Sequence, residues 1–133
     1  RTGSSFSSHQ VIAHAEYFLS LEINTSGAVW GYNWGAATEN KLFTATTNTD
    51  YWVKILINGT TKTYSYSTDG INYTGDVTFT DTGFDVNNTT YQFRLGLYSH
   101  IQDRPFLGSF DLSECYIKSN GEYIWKGISN DNI

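Results

Sequence analysis

The chain has 133 residues and a net charge of -5. Its eight Lys and Arg are scattered, so no basic stripe exists to follow a phosphate backbone or an anionic bilayer, which argues against nucleic acid and membrane surfaces as partners. A 39% hydrophobic and 17% aromatic composition excludes a disordered chain, and the lack of any apolar run near the ~18 residues of a span excludes insertion as a membrane helix.

In chain order, "VIAHA" (11–15), "EYFLSLEI" (16–23) and "AVWGYNW" (28–34) read as strands, with "NTSG" (24–27) a turn between the last two. "YWVKILIN" (51–58) alternates with period 2. Tyr51, Val53, Ile55 and Ile57 share one face, and Trp52, Lys54, Leu56 and Asn58 the other. "NGTT" follows as a hairpin signal, because Asn-Gly tolerates positive φ. "TKTYSYS" (61–67) returns with Tyr64 and Tyr66 on one face, both expected in the core, and Ser65 and Ser67 opposite. Asp69-Gly70 ends that strand and "INYTGDVTF" opens another. "TTYQFRLGLY" (89–98) places Tyr91, Phe93, Leu95 and Leu97 inward, with Gln92 and Arg94 outward.

In "GSFDLSECYIKSNGEYIWKG" (108–127) the inward set begins at Phe110 and Leu112 and resumes at Cys115 and Ile117, one residue out of phase. Such a slip predicts a β-bulge near Ser113-Glu114. Asn120-Gly121 then marks a hairpin, with Tyr123 and Trp125 on the returning strand. No segment has a 3.6-residue period, and the one proline is Pro105. Short strands between Gly/Asn/Asp turns predict a single antiparallel sandwich or barrel over 1–133. Cys115 has no partner for an intrachain disulfide and reads as a structural cysteine.

The stretches "YSYSTDGINYTGD" (64–76) and "PFLGSFDLSECYIKSNGEYIWKG" (105–127) carry a resemblance. They resemble the concanavalin A-like lectin/glucanase jelly rolls of the laminin-G-like kind, of the sort found in phage tail or fibre proteins and in surface proteins of Gram-positive bacteria. The likeness is good over about 50–127 and looser over 1–49. It implies an all-β, antiparallel two-sheet jelly-roll sandwich in which the positions of Tyr64 and Tyr66 point inward. It also implies an extracellular or virion-surface location. Similar domains carry a further stretch before a segment like "RTGSSFSS". The expectation is therefore a sandwich lacking its first strand or strands, hence an open edge. The chain has no Met and starts at Arg1, so a processed chain or a piece of a longer one is expected, or assembly into a homo-oligomer.

Glucanases of this fold place acids as E-x-D-x-E or E-x-D-x-x-E along one strand, and retaining glycosidases need two carboxyls roughly 5–5.5 Å apart. Here Asp111 and Glu114, three apart, point to opposite faces unless the bulge re-aims one, and Glu16 and Glu22 lie too far apart along a strand. There is no G-x-S-x-G, H-E-x-x-H, Gly-rich phosphate loop or Cys-x-x-Cys. No enzyme activity is expected. His9 and His14, five apart, should face opposite ways, and His100 stands alone. Calcium is a separate question, because related lectins often hold it. "DTGFDVNN" (81–88) and Asp103 match no calcium signature, so the metal stays open and no cofactor is expected. Five N-x-S/T sequons, at Asn24, Asn58, Asn72, Asn87 and Asn88, follow from a Ser/Thr-rich composition and do not imply glycosylation.

Ligand binding has three candidates. "VWGYNWG" (29–35) puts Trp30, Tyr32 and Trp34 on one strand face, an aromatic strip of roughly 13 Å on which sugar rings could stack. Core packing is the commoner fate of such a row, but Gly31 opposite leaves bare backbone that suits a close approach. Trp52, beside Lys54, is the second candidate, with covering the second sheet an equal alternative. The loop "YSHIQDRPF" (98–106), with His100, Gln102, Asp103 and Arg104, is the third, and reads equally as an ordinary solvated turn held by Pro105. The leading expectation is a non-catalytic adhesion module that binds a glycan or other cell-surface ligand. The alternative is a structural virion or surface domain that joins neighbouring subunits without binding glycan.

Overall fold

The computed structural model describes residues 1–15, 19–33, 38–80, 93–96, 104–119 and 122–126. They build an all-β architecture with no α-helix among the described residues. The strands are β1 (Gln10–Ala15), β2 (Leu19–Ile23), β3 (Ala28–Asn33), β4 (Thr38–Thr44), β5 (Trp52–Asn58), β6 (Thr61–Ser67), β7 (Thr74–Thr80), β8 (Phe93–Leu95), β9 (Tyr116–Ser119) and β10 (Glu122–Lys126). A five-stranded antiparallel sheet has the order β4-β3-β2-β1-β8, a three-stranded one β5-β6-β7, and β9 pairs with β10.

The two larger sheets share one core in a sandwich-like arrangement. The first contributes Ala13, Ala15, Leu19, Leu21, Ile23, Val29, Leu42 and Phe43, and the second Tyr64 and Phe79. β4 lies nearest the second sheet, against β6 and β7. The contact there is aromatic: Phe43 stacks on Tyr66 with centroids 4.1 Å apart, and Tyr64 meets Phe79 edge to face at 5.5 Å. Tyr64 is therefore core, as its alternation predicts, while Tyr66 is half-buried against the same cluster. Lys62, on the same face of β6, is also fully buried.

The predicted turns hold the strands in register. Gly59, at φ 58, lies between the paired Asn58 and Thr61. The "NTSG" turn closes on the Asn24 side chain, whose Oδ1 accepts from the Ser26 amide at 3.0 Å, the Ser26 hydroxyl at 2.7 Å and the Ala28 amide at 3.1 Å. Gly27 supplies the positive φ that this turn requires. After β6, Asp69 accepts from the amides of Ile71 and Asn72 and from the Ser67 hydroxyl, each at 2.8 Å. The Asn72 amides, backbone and side chain, then the Ile71 amide and the Ser67 hydroxyl hold its carboxyl well below the usual range.

Several expectations change. β4 has no clean alternation and was not expected, yet it carries much of the contact between sheets. The phase slip after Leu112 is a 3₁₀ turn over Leu112–Glu114, capped by the Asp111 carboxylate, which accepts from the Ser113 amide at 3.0 Å; it is not a β-bulge. Leu112 and Ile117 are exposed rather than inward. Phe93, also expected inward, is 47% exposed, because described pairing covers only one side of β8 and its short span leaves that side chain at the margin. Tyr91, Gln92, Leu97, Asn120 and Gly121 lie outside the described residues, as do the side chains of Tyr123 and Trp125. β9 and β10 do pair across 120–121 as a hairpin, through Ser119 and Glu122.

Candidate functional site

Gly31 explains which way the aromatic row points. A Cβ built on Gly31 would sit 3.0 Å from the Phe79 ring and 3.4 Å from the Tyr64 ring. The bare backbone is approached, as expected, but by the facing sheet rather than by a ligand. Because alternate residues face opposite ways, Trp30 and Tyr32 then point out of the sandwich, and both are half-buried there. Trp34 lies outside the described residues.

The outer face of the five-stranded sheet can be read row by row from the strand register. One row runs Arg94, His14, Ser20, Tyr32, Glu39 across β8, β1, β2, β3 and β4. The next holds Glu22, Trp30 and Lys41. His9, Glu22, Asn24, Trp30, Tyr32 and Glu39 together line a shallow depression of about 120 Å³. Four of the six were not among the predicted site residues: His9, Glu22, Asn24 and Glu39.

Glu22 organises this face. Its Oε1 accepts from the Ser20 hydroxyl at 2.7 Å, and its Oε2 lies 2.7 Å from His9 Nε2 and 3.4 Å from Arg104 Nη1. Two segments far apart in sequence are thereby tied to β2. The backbone places Arg104: the Val11 amide donates to its carbonyl at 2.9 Å, and the Leu107 amide donates to Gln10 Oε1 at 2.9 Å. Arg104 has φ 51, a left-handed conformation that costs a non-glycine residue roughly 1 kcal/mol or more and is tolerated where surroundings over-determine it. Arg104 thus reaches Glu22 without itself lining the depression, whereas its predicted companions His100, Gln102 and Asp103 lie outside the described residues.

The expectation that His9 and His14 face opposite ways is corrected. A register shift between Val11 and Ala13 adds a residue to β1, so His14, opposite Ser20, and His9, on Glu22, reach the same face. Trp52 is elsewhere, on the outer face of β5, where a Cβ on Gly70 would come within 3.0 Å of its indole. It covers the Asp69-Gly70 turn and adds nothing to the depression. The acid pair missed by reading single strands is also visible: Glu22 on β2 and Glu39 on β4 line one hollow with β3 between them. Among the described residues no group of three or more His, Cys, Asp or Glu could hold a metal ion, and the 81–88 stretch lies outside them.

No family model matches the chain, and no curated protein or solved structure matches it.

Proposed function

We propose that the chain is a non-catalytic glycan-binding adhesion module that uses the outer face of the five-stranded sheet. The jelly-roll topology and the extracellular or virion-surface setting belong to this reading through the resemblance of 64–76 and 105–127. The observation that carries it is the pairing of outward aromatics with polar groups. Trp30 and Tyr32, one pleat repeat apart at about 7 Å, flank a depression lined by Glu22, Glu39, Asn24 and His9. Sugars present apolar C–H faces and hydroxyl edges, so an aromatic wall beside carboxylate and amide oxygens meets both.

Two acids in one hollow raise hydrolysis as a competing use. A glycosidase acid must hold its proton in an apolar enclosure. Glu22 instead meets a guanidinium, an imidazole and a hydroxyl, and Glu39 is exposed to water. Those surroundings support binding over bond cleavage. Subunit assembly is the second reading, favoured by the exposure of Leu56 at 59% and Ile71 at 80%.

Glycan-array binding by the protein and by Trp30→Ala tests the proposal, with reducing-sugar release measured on any glycan bound. Expected are retention of a defined glycan class, at least tenfold loss in Trp30→Ala with the melting temperature nearly unchanged, and no sugar release. A chain that binds no glycan but sediments as a stable oligomer would replace adhesion with assembly.

A further inference from the structure

We infer that Glu39 gives the depression a charge preference: sugars bearing an ammonium group bind best, neutral sugars next, and sugars bearing a carboxylate worst. The inference rests on the glycan-binding reading above and names the ligand class of the same site.

The two carboxylates lining the depression are not equivalent. Both oxygens of Glu22 are occupied, Oε1 by the Ser20 hydroxyl and Oε2 by His9 and Arg104. The side chain is only 12% exposed, and its charge is offset by the guanidinium beside it. Glu39 is exposed on β4, directly across the ladder from Tyr32, and among the described residues no hydrogen bond or ion pair engages its carboxylate. The cation nearest in register is Lys41, but it stands opposite Trp30 in the neighbouring row and does not line the depression. A ligand stacked along Trp30 and Tyr32 therefore meets an unpaired carboxylate at the Tyr32 end. That group accepts hydrogen bonds from hydroxyls, attracts an ammonium and repels a second carboxylate. At a water-exposed position such a pair changes affinity by up to about fivefold and is screened by salt.

The test uses one oligosaccharide length and three charge states: a glucosamine oligomer at a pH where its amines are protonated, its fully N-acetylated counterpart, and a uronic acid oligomer. Dissociation constants are measured by calorimetry at low and high salt for the protein, Glu39→Gln and Lys41→Gln. Expected is the order cationic, neutral, acidic, with steps of up to about fivefold that shrink in salt and collapse in Glu39→Gln but persist in Lys41→Gln. Equal affinity for all three, or tightest binding of the acidic oligomer, overturns the charge preference while leaving glycan binding standing. Loss of the order in Lys41→Gln rather than Glu39→Gln also overturns it. Failure of all three oligomers and of every array glycan removes the glycan-binding reading itself, and this inference with it.

Discussion

Gly31 shows how one missing Cβ sets the direction of a whole strand. With any larger residue there, Tyr64 and Phe79 would have to draw back from β3, since the added atom would lie 3.0 Å from one ring and 3.4 Å from the other. Gly31→Ala is expected to cost about 1–3 kcal/mol, the usual range for overpacking, as a lowered denaturant midpoint at unchanged m. The same closeness sends Trp30 and Tyr32 outward, onto the proposed binding face. Glu22 does a different job. Buried polar groups persist only when satisfied, and it finds a hydroxyl, an imidazole and a guanidinium from three segments. Neither role could be read from neighbours in sequence. A glycine between two aromatics is compatible with contact by a ligand or by a sheet, and only the position of Tyr64 chooses.

At the scale of elements, hairpins were the most legible feature, because their signals are local. The β2–β3 turn depends on one side chain that accepts from two amides and a hydroxyl. Asn24→Ala should lose about 1–2 kcal/mol in chemical denaturation, with Asn24→Asp recovering much of it, because a carboxylate oxygen can accept from the same amides. Asn24 also lines the depression, so on the proposed function the alanine variant should weaken glycan binding as well. β4 was illegible for the opposite reason. "TENKLFT" has one polar half and one apolar half, and its inward residues Leu42 and Phe43 are consecutive because the register shifts opposite Val29 and Trp30. The slip at Ser113-Glu114 was visible, but its form was not: a phase change of one residue fits a bulge or a short 3₁₀ turn. The Asp111 cap favours the turn.

For the whole molecule, Tyr64 is the link between the sheets and reports on their separation. Its hydroxyl is buried beside the Ser20 backbone of the facing sheet without a well-aligned hydrogen bond, and burial pushes the phenol well above its ordinary range. The sign of the consequence follows from linkage. Above about pH 10 the unfolded chain ionises this tyrosine while the folded chain keeps it protonated, so stability falls as pH rises, by up to about 1.4 kcal/mol per pH unit. Tyr64→Phe should match the protein within about 1 kcal/mol at neutral pH and lack this part of the alkaline decline, read as the difference between two unfolding curves. The chain has ten tyrosines, and the difference between the two curves isolates one.

What the amino-acid order determined alone was the class of backbone, strands and tight turns, because period-2 alternation and Asn-Gly signals act within a few residues. Tertiary structure decided which face of β3 is inner, that His9, Glu22, Arg104 and Glu39 share one surface, and that β4 exists as a strand. Those outcomes rest on pairing between residues up to 97 positions apart, as for Gln10 and Leu107, and no local pattern encodes that register.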